Sequence, residues 1–313
     1  MPDKKVFDLV IVGGGAAGLS AGMYAGRYMI KTAIIKGPKP GGETATASTI
    51  ENWPGTLSID GLELVQNMEK HAKASGAELF DGEVTKIEKK GDCFYSTVGD
   101  DTYISKTIIL GTGSERRKLG LPNEDNLRGK GVSYCATCDA PLYKEKTIAI
   151  IGGGDSSVKG ANLAARFAKK TYLITRGKEL VGEPINLKQL KEKKNVEVVY
   201  ETEVKEIIGE KMIKKIVLSK PLNGSTELAL HGLFVEVGAM PRTDLSEMLG
   251  LDLERGYIKV NRFMQTNVEG VYAAGDISNG TGDFKQDITA AAQGAMAATS
   301  AYKYIGAHKD IVC

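Results

Sequence analysis

The chain has 313 residues with 41 basic and 39 acidic side chains, enough for about two domains with separate cores but without the one-signed charge of a nucleic-acid-binding surface. No apolar run reaches the ~18 residues that a membrane span needs, and the residues after Lys4 and Lys5 pass directly into a short strand, without the apolar core and small-residue cleavage site of a secretory signal. These features predict a cytoplasmic protein in which four cysteines make no disulfide framework and a close pair is catalytic or metal-binding.

Phe7-Asp8-Leu9-Val10-Ile11-Val12 is a β-rich apolar run that ends in Gly13-Gly14-Gly15-Ala16-Ala17-Gly18. A small-residue helical stretch follows through Tyr28, and Lys31 to Ile35 reads as a second strand. Strand, turn, helix, strand is the unit of a parallel doubly wound sheet. In that setting Gly13-x-Gly15-x-x-Gly18 fits a dinucleotide turn: Gly13 permits the tight bend, Gly15 lets a pyrophosphate reach the backbone, and Gly18 allows close helix–strand contact. The second strand ends at Lys36, where an acid able to hold a ribose hydroxyl is expected. A loop rich in Pro and Gly (Gly37 to Gly42) and the turn Asn52-Trp53-Pro54-Gly55 follow. Cys93, in the strand-like run Cys93-Phe94-Tyr95, reads as a core or edge thiol.

The run Ser133-Tyr134-Cys135-Ala136-Thr137-Cys138-Asp139 lies between two glycine-rich turns. Cys-x-x-Cys alone is ambiguous. A zinc site needs about four ligands, and Cys93, Cys313, His71, His231 and His308 are scattered and unpaired; inert buried thiols are another reading. A redox dithiol explains the position best: two residues between the sulfurs allow a reversible disulfide, one thiolate attacking a partner and the other resolving the mixed disulfide. Asp139, adjacent to Cys138, is a candidate proton shuttle, with an ordinary turn carboxylate as the alternative.

Thr147 to Ile151 then leads into Gly152-Gly153-Gly154-Asp155-Ser156-Ser157, a helical stretch to about Ala168 and a paired strand, Thr171 to Thr175. Ser157 stands where a third Gly is usual, yet is small enough to pack there. The second strand ends in Thr175-Arg176-Gly177-Lys178; Arg176 either reaches a 2′-phosphate or faces solvent. Lys188, Lys191, Lys193 and Lys194, interrupted by Glu192, read as a solvated helix face. Gly270-Val271-Tyr272-Ala273-Ala274-Gly275-Asp276 is a short strand ending in Gly-Asp, followed by an Ala-rich helix, Ile288 to Tyr304, and by Cys313 as a tail thiol. The last stretch is α/β again and completes the first domain, which makes the second module an insertion with crossings near Gly113 to Leu119 and Ala239 to Asp244. The expected fold is therefore α/β with two Rossmann-like dinucleotide-binding domains, the second inserted into the first: residues 1–115, 116–244 and 245–313.

Together Gly13 to Gly18, Gly41-Gly42, Glu51-Asn52-Trp53-Pro54-Gly55, Cys135-Ala136-Thr137-Cys138-Asp139, Gly152 to Ser156 and Gly270 to Asp276 resemble the low-molecular-weight, bacterial and archaeal-type thioredoxin reductases over essentially the whole length. The resemblance implies a homodimer with an FAD domain interrupted by a pyridine-nucleotide domain. FAD is expected on Gly13, Gly15, Ala16, Ala17, Gly18, Gly41, Gly42, Glu43 and Asn52, with Gly275 and Asp276 at the ribityl chain and Lys285, Gln286, Asp287 and Ile288 near the isoalloxazine. The pyridine nucleotide is expected on Gly152, Gly154, Asp155, Ser156 and Arg176. Cys138 is implied to face the flavin, Cys135 to attack the partner disulfide and Asp139 to serve as acid and base.

Three departures qualify the resemblance. Glu43 replaces a usual Gln, Asp287 replaces a usual Ala, and of the family's His-Arg-Arg-x-x-x-Arg run only Arg176 survives in Thr175 to Val181. Loss of two of three guanidiniums weakens bidentate recognition of a 2′-phosphate, so NADH competes with NADPH as donor, and reduced ferredoxin or a deazaflavin stays open. The sequence thus predicts a flavin-dependent thioredoxin-disulfide reductase acting on thioredoxin or a glutaredoxin-like protein. An NAD(P)H oxidase is the second enzyme reading; a non-enzymatic redox sensor fits less well because the whole relay is present.

Overall fold

The computed structural model describes residues 4–39, 41–47, 49–282 and 284–313; Pro40 of the loop after Gly37 lies outside them. The chain opens with β1 (Lys4–Val12), α1 (Ala16–Arg27) and β2 (Thr32–Ile35). Leu9 to Val12 and the whole of β2 are buried, as expected for strands covered on both faces of a parallel sheet. α2 (Gly61–Ala74) starts where the Asp60 carboxylate accepts the N–H groups of Leu62 and Glu63, a side-chain cap for otherwise unpaired donors. Then come β3 (Glu78–Phe80) and a meander of β4 (Val84–Lys90), β5 (Cys93–Val98) and β6 (Asp101–Leu110), and the chain leaves through β7 (Ser114–Arg116).

The inserted segment carries β8 (Val132–Ser133), α3 (Ala136–Asp139), β9 (Thr147–Ile151), α4 (Asp155–Ala164), β10 (Lys170–Ile174), α5 (Pro184–Lys191) and β11 (Val196–Val199). An antiparallel ribbon of β12 (Val204–Gly209), β13 (Ile213–Leu222) and β14 (Ser225–Ala229) precedes β15 (Gly232–Val235). The chain returns through β16 (Ala239–Pro241), which pairs with β7, and continues through α6 (Asp244–Met248), β17 (Leu253–Glu254), β18 (Tyr257–Ile258), β19 (Val271–Ala273) and α7 (Asp287–Ala307).

Contacts divide the chain into two compact units, Met1–Glu115 with Pro241–Cys313, and Arg116–Met240. The fold is α/β with two Rossmann-like domains, one inserted in the other. In the first unit the sheet order is β3-β2-β1-β6-β5-β4. β3, β2, β1 and β6 run parallel, the meander is antiparallel, and β19 lies parallel to the last residues of β6. α1 and α7 pack through small residues (Ala17, Ala21, Ala25, Ala297, Ala298 and Ala301) beneath this sheet. In the second unit the order β11-β10-β9-β15-β8 is wholly parallel, with Ile148, Ile150, Val158, Ala161, Leu173 and Phe234 closing one face.

The cysteines correct one expectation. Cys93 is not a lone core thiol and Cys313 is not a loose tail thiol: the two form a disulfide across 220 residues of sequence, their Cα atoms 5.8 Å apart. The segment beyond α7 returns over the meander, where Ile311 is buried with Cys93 and Ile104. No spacing rule relates cysteines that far apart, so only the tertiary path brings them together. Closing so long a loop removes about 5 kcal/mol of chain entropy from the unfolded state. Cys93→Ser is therefore expected to lower the thermal midpoint by about 10 °C, measured by calorimetry without reductant, and peptide mapping of the parent under non-reducing conditions is expected to recover the Cys93–Cys313 crosslink.

Candidate functional site

In the first unit β1 runs out at Gly13, whose φ of 121° lies where only glycine is comfortable. A Cβ there would sit 2.1 Å from the Gly111 carbonyl oxygen, and one on Gly18 would sit 1.9 Å from that of Gly13. The turn is thus closed on the sheet side. It is open on the other: the nearest atom to a Cβ on Gly15 is the Gly41 oxygen at 3.9 Å. Gly15 caps α1 without any side-chain hydrogen bond, and Ala16, Ala17 and Gly18 form its first turn. That leaves first-turn N–H groups without a side-chain acceptor beside a glycine-lined opening, a fit for a pyrophosphate. Gly42 lies at this opening, where a Cβ would be 3.7 Å from the Gly15 Cα, while Gly41 brings its carbonyl oxygen there and packs its other side against Ala45 and Val65. Lys36, found where an acid was expected, pairs with Asp81 (2.9 Å) and Glu69 (3.7 Å).

Across the same unit a polar cluster gathers at the start of α7. Asn52 donates to the Gln286 side chain at 3.0 Å, and Gln286 and Thr289 form a reciprocal cap on the helix. Thr44, next to Glu43, donates to the Asp287 carboxylate at 2.5 Å. Asp276 receives Ser114 at 3.4 Å, and Lys285 binds the Ser278 carbonyl while lying 4.5 Å from the Tyr257 ring centre. Ile288 is on the exposed side of the helix. Burial pushes the Asp276 and Asp287 carboxyls above the ordinary range; Lys285 opposes this at Asp276 and Thr44 opposes it at Asp287, while Glu43 adds to it at both. Gln293, which motif reading missed, is 4% exposed and accepts the Gly275 N–H at 2.7 Å and the Ser278 hydroxyl at 3.3 Å. It fixes the Gly275-Asp276 bend from inside an Ala-rich helix, where only its polarity distinguishes it.

The second unit repeats the turn. Gly152 has φ 147°, and its Cβ would meet the Glu236 carbonyl oxygen at 2.2 Å. Ser157 is fully buried and donates to the Gly154 carbonyl at 2.7 Å, so it takes the third glycine's place with a hydrogen bond of its own. Gly154 caps α4 without a side-chain hydrogen bond and has open space around it; Ser156 is half-buried beside it. Asp155 opens the helix but is turned to its own unit. Burial raises its carboxyl, yet bonds from Lys159, the Glu183 N–H and Asn186 outweigh that and hold it below the ordinary range. Arg176 is exposed, and the charge it bears lowers the pKa of Glu203, after the larger effect of Lys205.

Cys135 and Cys138 are disulfide-bonded with Cα atoms 5.4 Å apart. β8 delivers Cys135 and the single-turn helix α3 carries Cys138. The Cys138 N–H points at the Cys135 sulfur (3.2 Å), and the Cys135 N–H is held by the Ser133 hydroxyl (3.1 Å). Cys135 is half-buried and Cys138 exposed. Asp139 closes α3, and together with the larger effect of burial it raises the Tyr143 hydroxyl. Two buried carboxylates escaped the sequence reading: Glu124, which takes the N–H groups of Leu119, Gly120 and Leu121 and the Tyr134 hydroxyl, and Glu236, which takes the Ala136 N–H. Among the described residues no cluster of His, Cys, Asp or Glu is placed to hold a metal, and no helix is long and apolar enough to cross a membrane.

Two glycine turns and a Cys-x-x-Cys disulfide on this frame define a disulfide oxidoreductase, and comparison with known proteins agrees. Residues 7–299 match the pyridine nucleotide-disulphide oxidoreductase family. The thioredoxin reductase of Treponema pallidum is 37% identical over 96% of this chain and 97% of its own length. The solved thioredoxin reductase of Lactococcus lactis superposes with a TM-score of 0.91 at 36% identity, covering 96% of this chain and 99% of that one; that of T. acidophilum gives 0.88 at 36% over 96% and 98%. The chain belongs to the thioredoxin reductases of low molecular weight within that family.

The buried acid at the start of α7 carries a pH signature. A carboxyl whose pKa is raised by folding costs stability once pH exceeds its unfolded value of about 3.9, and the cost is complete above the folded value. Asp287→Asn keeps an oxygen for Thr44 and removes the charge. It is expected to raise the thermal midpoint of the purified protein by a few degrees at pH 7, with the gain disappearing as pH falls to about 4; calorimetry from pH 4 to 8 reads this.

Proposed function

We propose that the protein is a flavin-dependent thioredoxin-disulfide reductase that takes electrons from a pyridine nucleotide and delivers them to thioredoxin or a glutaredoxin-like protein. The observation that carries this reading is the Cys135–Cys138 disulfide in a unit with its own dinucleotide turn, inserted into a second such unit. Gly13, Gly15, Ala16, Ala17 and Gly18 would hold the FAD pyrophosphate, with Gly41, Gly42, Glu43 and Asn52 beside it, Gly275 and Asp276 at the ribityl hydroxyls, and Lys285, Gln286, Asp287 and Ile288 at the ring. Gly152, Gly154, Asp155, Ser156 and Arg176 would hold the pyridine nucleotide. FAD, when bound, supplies two-electron transfer between the nicotinamide and the Cys135–Cys138 disulfide. The family resemblance further supports a homodimer, which sedimentation would read directly.

The exchange chemistry belongs to the chain itself. With the disulfide reduced, the Cys135 thiolate attacks one sulfur of the partner disulfide. A bond forms between Cys135 and that sulfur, and the partner's second sulfur leaves as a thiolate that takes up a proton. Cys138 then loses its proton, for which Asp139 is the acceptor one residue away, and attacks Cys135. This restores the Cys135–Cys138 bond and releases the second partner thiolate. That thiolate takes up the proton that left Cys138, the first took its proton from solvent, and two electrons pass to the partner in all.

Arg176 supports weak discrimination of a 2′-phosphate. A single exposed guanidinium next to the Glu203 carboxylate offers neither the burial nor the multiple forks that bidentate phosphate recognition uses.

Cys138→Ser is expected to keep dinucleotide-driven flavin bleaching and lose at least about 1000-fold in thioredoxin reduction, since the resolving sulfur is gone; an insulin-coupled assay checks the second and anaerobic absorbance the first. For the donor, stopped-flow bleaching is expected to give kcat/KM values for NADH and NADPH within about tenfold of each other; an NADPH preference above about 100-fold would refute the argument from Arg176.

A further inference from the structure

In the first unit β1, β2 and β3 lie parallel, with Val12 opposite Ile35 and Ile35 opposite Phe80. The residues that follow, Gly13, Lys36 and Asp81, therefore stand in one row at the carboxyl ends of three adjacent strands. That is the edge of an open α/β sheet at which nucleotides bind. The backbone ties the row together: the Gly14 N–H donates to the Lys36 carbonyl at 3.2 Å, and the Lys36 N–H donates to the Phe80 carbonyl at 2.9 Å. A Cβ on Gly14 would lie 2.9 Å from both Cα and Cβ of Lys36, so the lysine stem starts against the dinucleotide turn itself.

The acid that takes a ribose hydroxyl in such sites belongs at the position of Lys36. A cation there could instead bind a 2′-phosphate, but this one already has carboxylate partners. Its Nζ lies 2.9 Å from Asp81 and 3.7 Å from Glu69 on α2. One ammonium between two carboxylates leaves the group a net negative charge, which repels a phosphate and suits a hydroxyl donor. The Lys36 and Glu69 side chains are only 15% and 18% exposed, whereas that of Asp81 is 84% exposed. A carboxylate bonded to one ammonium keeps acceptor sites for further donors, and of the three groups Asp81 is the one that an incoming ligand can reach.

We propose that the ribose-binding acid of this site stands one strand further along the sheet: Asp81, held by Lys36, accepts the 2′-hydroxyl of the FAD adenosine, and Lys36 is its positioning residue. This rests on the reading of the first glycine turn as the FAD site. Lys36 bridges Asp81 to the half-buried Glu69 and, through its own backbone, to Gly14. The acceptor is thereby fixed relative to the turn although it stands at the surface.

The full-length chain, stripped of flavin and titrated with FAD or with its 2′-deoxyadenosine analogue, gives two dissociation constants from the quenching of flavin fluorescence, without any turnover. The parent is expected to bind FAD about tenfold more tightly than the analogue, the worth of one hydrogen bond to a charged acceptor. Asp81→Ala is expected to bring that ratio to about one by weakening FAD and not the analogue, and Lys36→Met to reduce it to about threefold. A merely structural role would weaken both flavins alike and leave the ratio where it was. A parent that does not discriminate, or either variant keeping the parent's ratio, overturns the proposal. If Asp81→Ala binds neither flavin, Asp81→Asn decides: its neutral acceptor is expected to lower the ratio about threefold, and an unchanged ratio overturns the proposal. Failure of the underlying FAD reading would show separately, as a parent protein that binds neither flavin.

Discussion

Both glycine turns depend on one backbone contact that excludes any side chain. Gly13 lies against the carbonyl of Gly111, and Gly152 against that of Glu236, with separations of 2.1 and 2.2 Å for a Cβ in their place. Gly111 follows β6, the parallel neighbour of β1; Glu236 follows β15, the parallel neighbour of β9. The two units solve the same problem the same way. A strand must end, turn and start a helix within three residues, and it does so because the first glycine of the turn presses flat onto the exit of the strand beside it. That contact lets each helix start directly after the turn, with its first-turn N–H groups open.

The duplicated contact also shows where the two halves diverged. At the equivalent exit the first unit has Gly111, with no side chain, and the second has Glu236, whose side chain is sent to the redox turn. The backbone constraint acts only on the carbonyl, so the side chain at this position is free to take another task. On the proposed reading the inserted unit used that freedom to join the dithiol to the sheet edge that also forms its nucleotide turn.

What could be read in the sequence was whatever had a short-range signature. Gly13 to Gly18 and Gly152 to Ser157 follow β-rich runs, and Cys135 and Cys138 are three residues apart, so turn, helix and disulfide were all visible. Apart from the strand-like run at Cys93, the meanders β4–β6 and β12–β14 were not, because half-exposed antiparallel strands such as Lys86-Ile87-Glu88-Lys89-Lys90 carry charges on their outer face and lack the continuous apolar run of a buried parallel strand. The Cys93–Cys313 disulfide was misread because its partners meet only through the returning tail. Glu236 reads as the polar end of Gly232-Leu233-Phe234-Val235, and Gln293 as one polar residue among alanines; burial alone gives each its meaning, and burial is a tertiary fact.

Charge placement separates a resident group from a visiting one. The first unit sinks Asp276 and Asp287 far enough to raise both carboxyls. That arrangement costs stability whenever both are ionised; on the proposed reading, a bound group that supplies hydroxyl donors to Asp276, as a ribityl chain would, offsets part of it. The second unit does the opposite. Arg176 and Lys178 stand in solvent at the end of β10, and Asp155 is satisfied within its own fold by Lys159, Glu183 and Asn186. On the proposed reading a nucleotide arriving there would find little buried charge to neutralise. This contrast suits the proposed reductase, in which one cofactor survives every turnover while the other is consumed in each.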